Sequence, residues 1–326
     1  MLNREIRLTM KELKMALLQI KFKSSSTIVD SIKISRAVTY AYSLLYPDKI
    51  VNFINDLKSG EKLFSGIFPL TDEGPEFPIP YINDTLNGTL NRCDKIKPLI
   101  NRKNRVPRFI NENRFNEAIQ NFLDNNYQGI EYNRLFPYKK DNDTKDNGTN
   151  QSSFVQTVSE PGIVIYKNPI KSQYEDKWKY NDVFTKELYS YNCGYFVAEN
   201  ADKDTIAAIM LLNDLGLSGR RSIGKGHVEI TKIKDSLSTG FKKEGVYILL
   251  SSFIPDKDSI KNIDFVKSRY QLKIFQGTSI WGNPIGPIRY FMPGSVFYLR
   301  GPIHGKVYDE NHGIIPFTPV IKGVTQ

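Results

Sequence analysis

The stretch Gly216–Ile230, GLSGRRSIGKGHVEI, constrains this chain more than any other. It sets Gly216, Gly219, Gly224 and Gly226 around Arg220, Arg221 and Lys225. Glycine takes positive φ without steric cost and lets a backbone approach another molecule closely. Consecutive N–H groups in such a turn form a concave anion site, and the three cations add charge suited to phosphate. The flanks give the loop its context. Asp202–Leu215 reads as a helix, with Asp202 at its start, apolar Ile206, Ile209 and Met210, and Gly216 as its stop. After the loop, Val228 and Ile230 alternate with His227, Glu229 and Thr231, the pattern of a strand. The order is helix, basic glycine loop, strand.

That order excludes the nearest nucleotide motif. Gly219–Gly226 spells G-x-x-x-x-G-K-G, but Gly226 stands where a P-loop carries the hydroxyl that holds magnesium. A P-loop also leaves a strand and opens a helix, the reverse of the order here. Nucleotide hydrolysis is therefore rejected. The plainest alternative for the loop is a glycine-rich turn with solvated cations.

A net charge of +10 over 326 residues, with pI near 9.3, points to a polyanion or an acidic partner. The chain is long enough for one large or two medium domains. Its 40% hydrophobic and 25% charged content is that of a soluble globular protein. No run approaches a membrane span and the N-terminal MLNREIRLTMKELK is not signal-like, so a cytoplasmic location is expected. Cys93 and Cys193 are too few for a disulfide framework.

Along the chain, Leu18, Ile20 and Phe22 alternate with Gln19, Lys21 and Lys23 as a first strand. SSSTIVDS follows, with Asp30 or Ser31 as a helix cap. Ile34, Ala37, Val38, Ala41 and Leu45 keep helical spacing up to Tyr46-Pro47, where the helix should stop. Between Arg92 and Arg114 stand eight Lys or Arg, including Lys95, Lys97, Arg102, Lys103, Arg105 and Arg108, against Asp94 and Glu112. That run is either a solvated face or a contact to RNA or to another subunit. A helix is expected over Glu112–Leu123, and a mobile loop over DNDTKDNGTNQSS at 141–153. Val183–Ala198 reads as strand, and DKDSIKNI at 256–263 as a short helix. Gly245–Pro255, Tyr270–Phe275, Ile288–Leu299 and Gly313–Ile321 read as further strands.

The helix, the G-x-x-G-R-R-S-x-G-x-G loop and the strand together resemble the signature of the RAMP superfamily of CRISPR proteins. Within it the chain is most similar to the family of handle-binding subunits of type III-A (Csm-type) effector complexes. LFSGIFPL at 63–70, PEFPIPYI at 75–82 and Gly294-Ser295-Val296-Phe297 resemble segments of that family in the same order. Val29-Asp30-Ser31-Ile32 occupies the position of the family's Ser-Asp-Thr-Leu motif, departing at its first residue.

The resemblance implies an α+β fold of two ferredoxin-like (RRM-like) domains, 1–236 and 243–326, the first carrying an insertion at about 71–182 and the loop at 216–226. It implies a non-catalytic subunit that binds the 5′ handle of CRISPR RNA (crRNA). The implied partners are the large polymerase/cyclase subunit and an adjacent backbone RAMP subunit, with no membrane. The implied RNA-binding residues are Gly216, Ser218, Gly219, Arg220, Arg221, Ser222, Gly224, Lys225 and Gly226, joined by Asp30, Ser31 and Arg36. No cofactor, metal or catalytic residue is implied.

Two other readings stay open. Asp30 caps the helix or, as in backbone RAMP subunits, acts as the acid of a ribonuclease; capping alone accounts for an aspartate there. The chain's three histidines, His227, His304 and His312, all lie late, which gives little support to processing chemistry based on an N-terminal histidine. A ribosomal or tRNA-binding accessory protein with RRM-like domains is a more distant alternative.

Overall fold

The computed structural model describes residues 15–82, 109–128, 154–171, 178–217, 224–233, 237, 239–278, 284–310 and 313–323. The cation run from Arg92 to Arg108 and the 141–153 loop lie outside them, while Arg114 is described.

Strand β1 (Met15–Phe22) leads through Ser24–Asp30 into helix α1 (Ser31–Leu45). Asp30 is the cap expected from sequence: its Oδ1 accepts the Lys33 N–H at 2.9 Å, a contact worth about 1 kcal/mol. The helix ends at Tyr46 because Pro47 opens a 3₁₀ turn, and α2 (Ile50–Ser59) follows. Next come β2 (Leu63–Phe64), β3 (Phe68–Thr71), β4 (Gly74–Pro78), β5 (Phe109–Asn111) and α3 (Glu112–Asp124). A long hairpin, β6 (Val155–Lys171) with β7 (Trp178–Tyr191), leads to β8 (Gly194–Glu199), α4 (Lys203–Leu215) and β9 (Val228–Ile233). The expected single strand over Val183–Ala198 is thus two, broken at Asn192–Cys193, because β7 pairs with β6 while β8 pairs with β1. Helix α4 is as expected, with Asp202 accepting the Thr205 N–H at 2.8 Å and Gly216 closing the C-terminus.

All of these strands except the β6–β7 hairpin form one antiparallel sheet in the order β5-β4-β3-β8-β1-β9, with β2 also on β8. Its two faces have separate cores. Leu18, Ile20, Phe196, Ala198, Val228 and Ile230 pack under α1 and α4. On the opposite face, Leu17, Tyr195 and Val197 pack with α3 residues Phe115, Ile119 and Phe122 and with Val246, Ile248 and Leu250. The strict alternation along β1 produces this division.

The rest of the chain is β10 (Gly245–Leu249), β11 (Ile263–Arg269), β12 (Leu272–Thr278), β13 (Pro284–Phe291), β14 (Val296–Leu299), β15 (Lys306–Glu310), β16 (Gly313–Phe317) and β17 (Ile321–Gly323). A four-stranded antiparallel sheet runs β11-β14-β10-β17, while β12–β13 and β15–β16 are separate hairpins. The short helix expected over 256–263 is a 3₁₀ turn at Ser259–Asn262. The expected Ile288–Leu299 strand is interrupted at Met292–Ser295, where the chain leaves the hairpin for the sheet. Tyr270, Leu272 and Ile274 alternate as expected, but their apolar side chains are 41%, 49% and 50% exposed.

Candidate nucleic-acid interface

The base of the glycine loop is held by backbone hydrogen bonds. Gly216 N–H donates to the Leu212 carbonyl at 2.8 Å, and Leu217 N–H donates to the Gly226 carbonyl at 2.8 Å, closing the loop on itself. Gly216, Gly224 and Gly226 have φ of +74°, +76° and +71°. A side chain at any of these positions would be strained, so the glycines set the path of the loop. Ser218, Gly219, Arg220, Arg221 and Ser222, at its tip, lie outside the described residues.

Segment Ser24–Asp30 anchors the loop and joins it to α1. The Ser25 carbonyl accepts Gly226 N–H at 3.0 Å, and Ser24 Oγ accepts His227 N–H at 3.0 Å. Lys23 N–H donates to the His227 carbonyl at 2.9 Å. Lys225 Nζ donates to Ser25 Oγ at 3.1 Å and forms an ion pair with Glu160 of β6. Ser26 and Tyr189 exchange two backbone hydrogen bonds, at 2.8 and 2.7 Å. The serine-rich run is therefore a junction for three elements, and Asp30 alone caps the helix.

At the start of α1, Val29 N–H donates to the Tyr191 hydroxyl at 3.0 Å. Burial pushes the Tyr191 phenol up to about 12, and the Asp30 carboxylate adds to the effect. Tyr290 of β13 is likewise pushed up to about 12 by burial, with Asp30 again adding to it. Both phenols are therefore neutral hydrogen-bonding groups at ordinary pH. Ser31 is buried, and its Oγ accepts the Ser252 N–H at 2.8 Å. In this chain Ser31 holds α1 against the following unit. Arg36 is half-buried and forms no ion pair among the described residues.

Two cations here were not singled out from sequence. Lys33 has its pKa lowered by burial, and Arg36 and Lys273 add to the lowering, while Asp30 opposes it. Lys33 has a sequence signal, since it shares the first turns of a capped helix with Arg36. Lys273 has none, because it arrives from β12 far along the chain. Lys95, Lys97, Arg102, Lys103, Arg105 and Arg108 lie outside the described residues. Among the described residues no cluster of three or more His, Cys, Asp or Glu forms a metal site, and no helix is long and apolar enough to cross a membrane.

No family model matches the chain. The "CRISPR system Cms protein Csm4" of Methanocaldococcus jannaschii is 38% identical over a match covering 38% of this chain and 44% of that protein. The match thus spans less than half of that relative. In fold, a chain of the type III-A Csm3–Csm4 subcomplex aligns over 94% of this chain and 98% of its own length, with a TM-score of 0.57 at 17% identity. The chain thus resembles Csm4 in sequence over part of its length and resembles a chain of the Csm3–Csm4 subcomplex in fold. A chain of a Csm1–Csm4 cassette crystallised with cA4 aligns over 96% of this chain and 100% of its own length, with a TM-score of 0.53 at 14% identity. These two likenesses extend through both sheets, so the mixed α/β, antiparallel architecture is that of the Csm4-containing structures.

Proposed function

We propose that this chain is a non-catalytic subunit of a type III CRISPR effector complex and binds the single-stranded 5′ handle of crRNA. The observation that carries the reading is the loop base. Three left-handed glycines and Lys225 are tied to Ser24 and Ser25, immediately before the capped start of α1. Backbone phosphates would lie on the loop N–H groups and on Arg220, Arg221 and Lys225, with bases splayed and read by edges and stacking. Asp30 supports binding by ordering α1, and its engagement as a cap favours no cleavage chemistry.

Two ferredoxin-like domains, 1–236 with an insertion at 71–182 and 243–326, belong to the same proposal. Strand order supports it. In the first unit β1, β2/β3, β8 and β9 stand as fourth-first-third-second, and β10, β11, β14 and β17 repeat that order. Hairpin β15–β16 occupies the place of the second helix in the later unit. The solved neighbours pair Csm4 with Csm3 and with Csm1, which supports a backbone RAMP subunit and the large polymerase/cyclase subunit as partners.

The test is RNA binding by the full chain carrying Arg220→Ala and Arg221→Ala. Removing two phosphate contacts should weaken binding of handle RNA and lower the salt slope by about 1.4. Unchanged binding by the folded double variant would sink the loop assignment.

A further inference from the structure

Lysines drawn towards the interior of this protein are matched by carboxylates. Lys62 lies 3.1 Å from both Asp56 and Asp202, Lys322 lies 2.7 Å from Glu112, and Lys225 pairs with Glu160. Lys33 departs from that pattern. Its ammonium donates to neutral oxygens, Thr27 Oγ1 at 3.2 Å and the Ile28 carbonyl. Asp30 is nearby, but its Oδ1 is engaged as the helix cap.

The second unit adds to the imbalance. Ile32 of α1 is buried in one cluster with Tyr290 of β13 and with Ile315 and Phe317 of β16, so the first turn of the helix meets both hairpins. Tyr290 is the register partner of Lys273, which brings that exposed lysine into electrostatic range of Lys33, as Arg36 is from its own helix. Among the described residues none of Lys33, Arg36 and Lys273 has an ion-pair partner. Lys33 thus stands among two further cations and one occupied carboxylate. Such a cluster disfavours its own charged form unless an anion joins it.

We infer that Lys33, Arg36 and Lys273 form a second phosphate-binding subsite, which takes the RNA backbone as it leaves the glycine loop along Ser24–Asp30. The subsite rests on the RNA reading above and extends it across both units: the loop holds one stretch of the strand, and the helix start with the hairpin holds the next. Its ligand class is the phosphodiester of single-stranded RNA. Binding there would join the two units through their shared ligand.

Fluorescence anisotropy on the full chain, with labelled RNA of the repeat-derived handle sequence over a salt series, tests this. The variants are Arg36→Gln with Lys273→Gln, and Arg220→Ala with Arg221→Ala. The first pair should weaken binding and lower the salt slope by about 1.4, with a thermal midpoint equal to or above that of the unmodified chain. An unchanged slope in the first pair, with loss in the loop pair, overturns the subsite and leaves the handle reading standing. No effect of either pair overturns both. Weaker binding together with a lower midpoint also overturns the subsite, because the cluster would then be holding the hairpin in place.

Discussion

Two groups of cations lie at opposite ends of Ser24–Asp30, and they are held in different ways. Lys225, at the loop end, is matched by Glu160 and Ser25. Lys33, at the helix end, feels the like charges of Arg36 and Lys273, with Asp30 the opposing carboxylate. On the proposed function, the difference would separate two ways of preparing a cationic surface for phosphate. In the first, a carboxylate holds the lysine in position and must be displaced by the incoming anion. In the second, repulsion is left in the folded state and relieved on binding. The first makes the ligand compete, and the second makes it stabilise.

The largest expected effect is at the carboxylate of the unmatched group. Asp30→Ala removes the cap of α1 and leaves three cations without a counter-charge, so stability in urea should fall by about 2 kcal/mol. Asp30→Asn keeps a capping oxygen and loses only the charge, so it should cost about half as much. Equal costs would mean that charge balance, rather than capping, dominates this end of the segment.

A smaller effect is expected at the matched group. Glu160→Gln frees Lys225 from a partly exposed ion pair worth under about 1 kcal/mol, so RNA affinity at low salt should rise roughly threefold. Weaker binding in that variant would show that Glu160 positions Lys225 and does not compete for it.

The smallest effect is on stability at Lys33. Lys33→Met should stabilise the chain by about 0.5 kcal/mol at pH 7, the scale of one like-charge contact on a helix. The sign follows from proton binding. The folded-state pKa of Lys33 is depressed below 10.5. The unfolded chain therefore holds more protons between the two values, and this lysine's contribution becomes more favourable as pH rises through that window. The variant's advantage should be full at pH 7 and vanish above about pH 10.5. Lys225→Met should show no such gain, and a gain there would erase the contrast between the two groups.

Much of the local structure was legible in the sequence. The start of α1 at Asp30, its stop before Pro47, the span of α4 from the Asp202 cap to Gly216, and the start of α3 after Asn111 each follow from short-range signals. Capping oxygens, proline and left-handed glycine act within a few residues, so sequence records them directly. The apolar alternation at Tyr270, Leu272 and Ile274 marked a strand correctly but not a buried face. Beyond its own pairing the β12–β13 hairpin bonds Phe253 through Phe291, and Leu272 and Ile274 are left about half exposed. Alternation reports a strand's pleat, whereas burial depends on what packs against it.

The sequence by itself determined the helix, glycine loop and strand that suggest an anion site, together with the basic balance that suggests a polyanion. Only the tertiary structure decided that Ser24–Asp30 is the junction to which the loop is tied, and that Glu160 sits on Lys225. It also decided that Lys273 comes into electrostatic range of Lys33 from far along the chain. Caps and turns are set by neighbours in sequence. Contacts between distant charges are set by the sheets and cores that bring their backbones together.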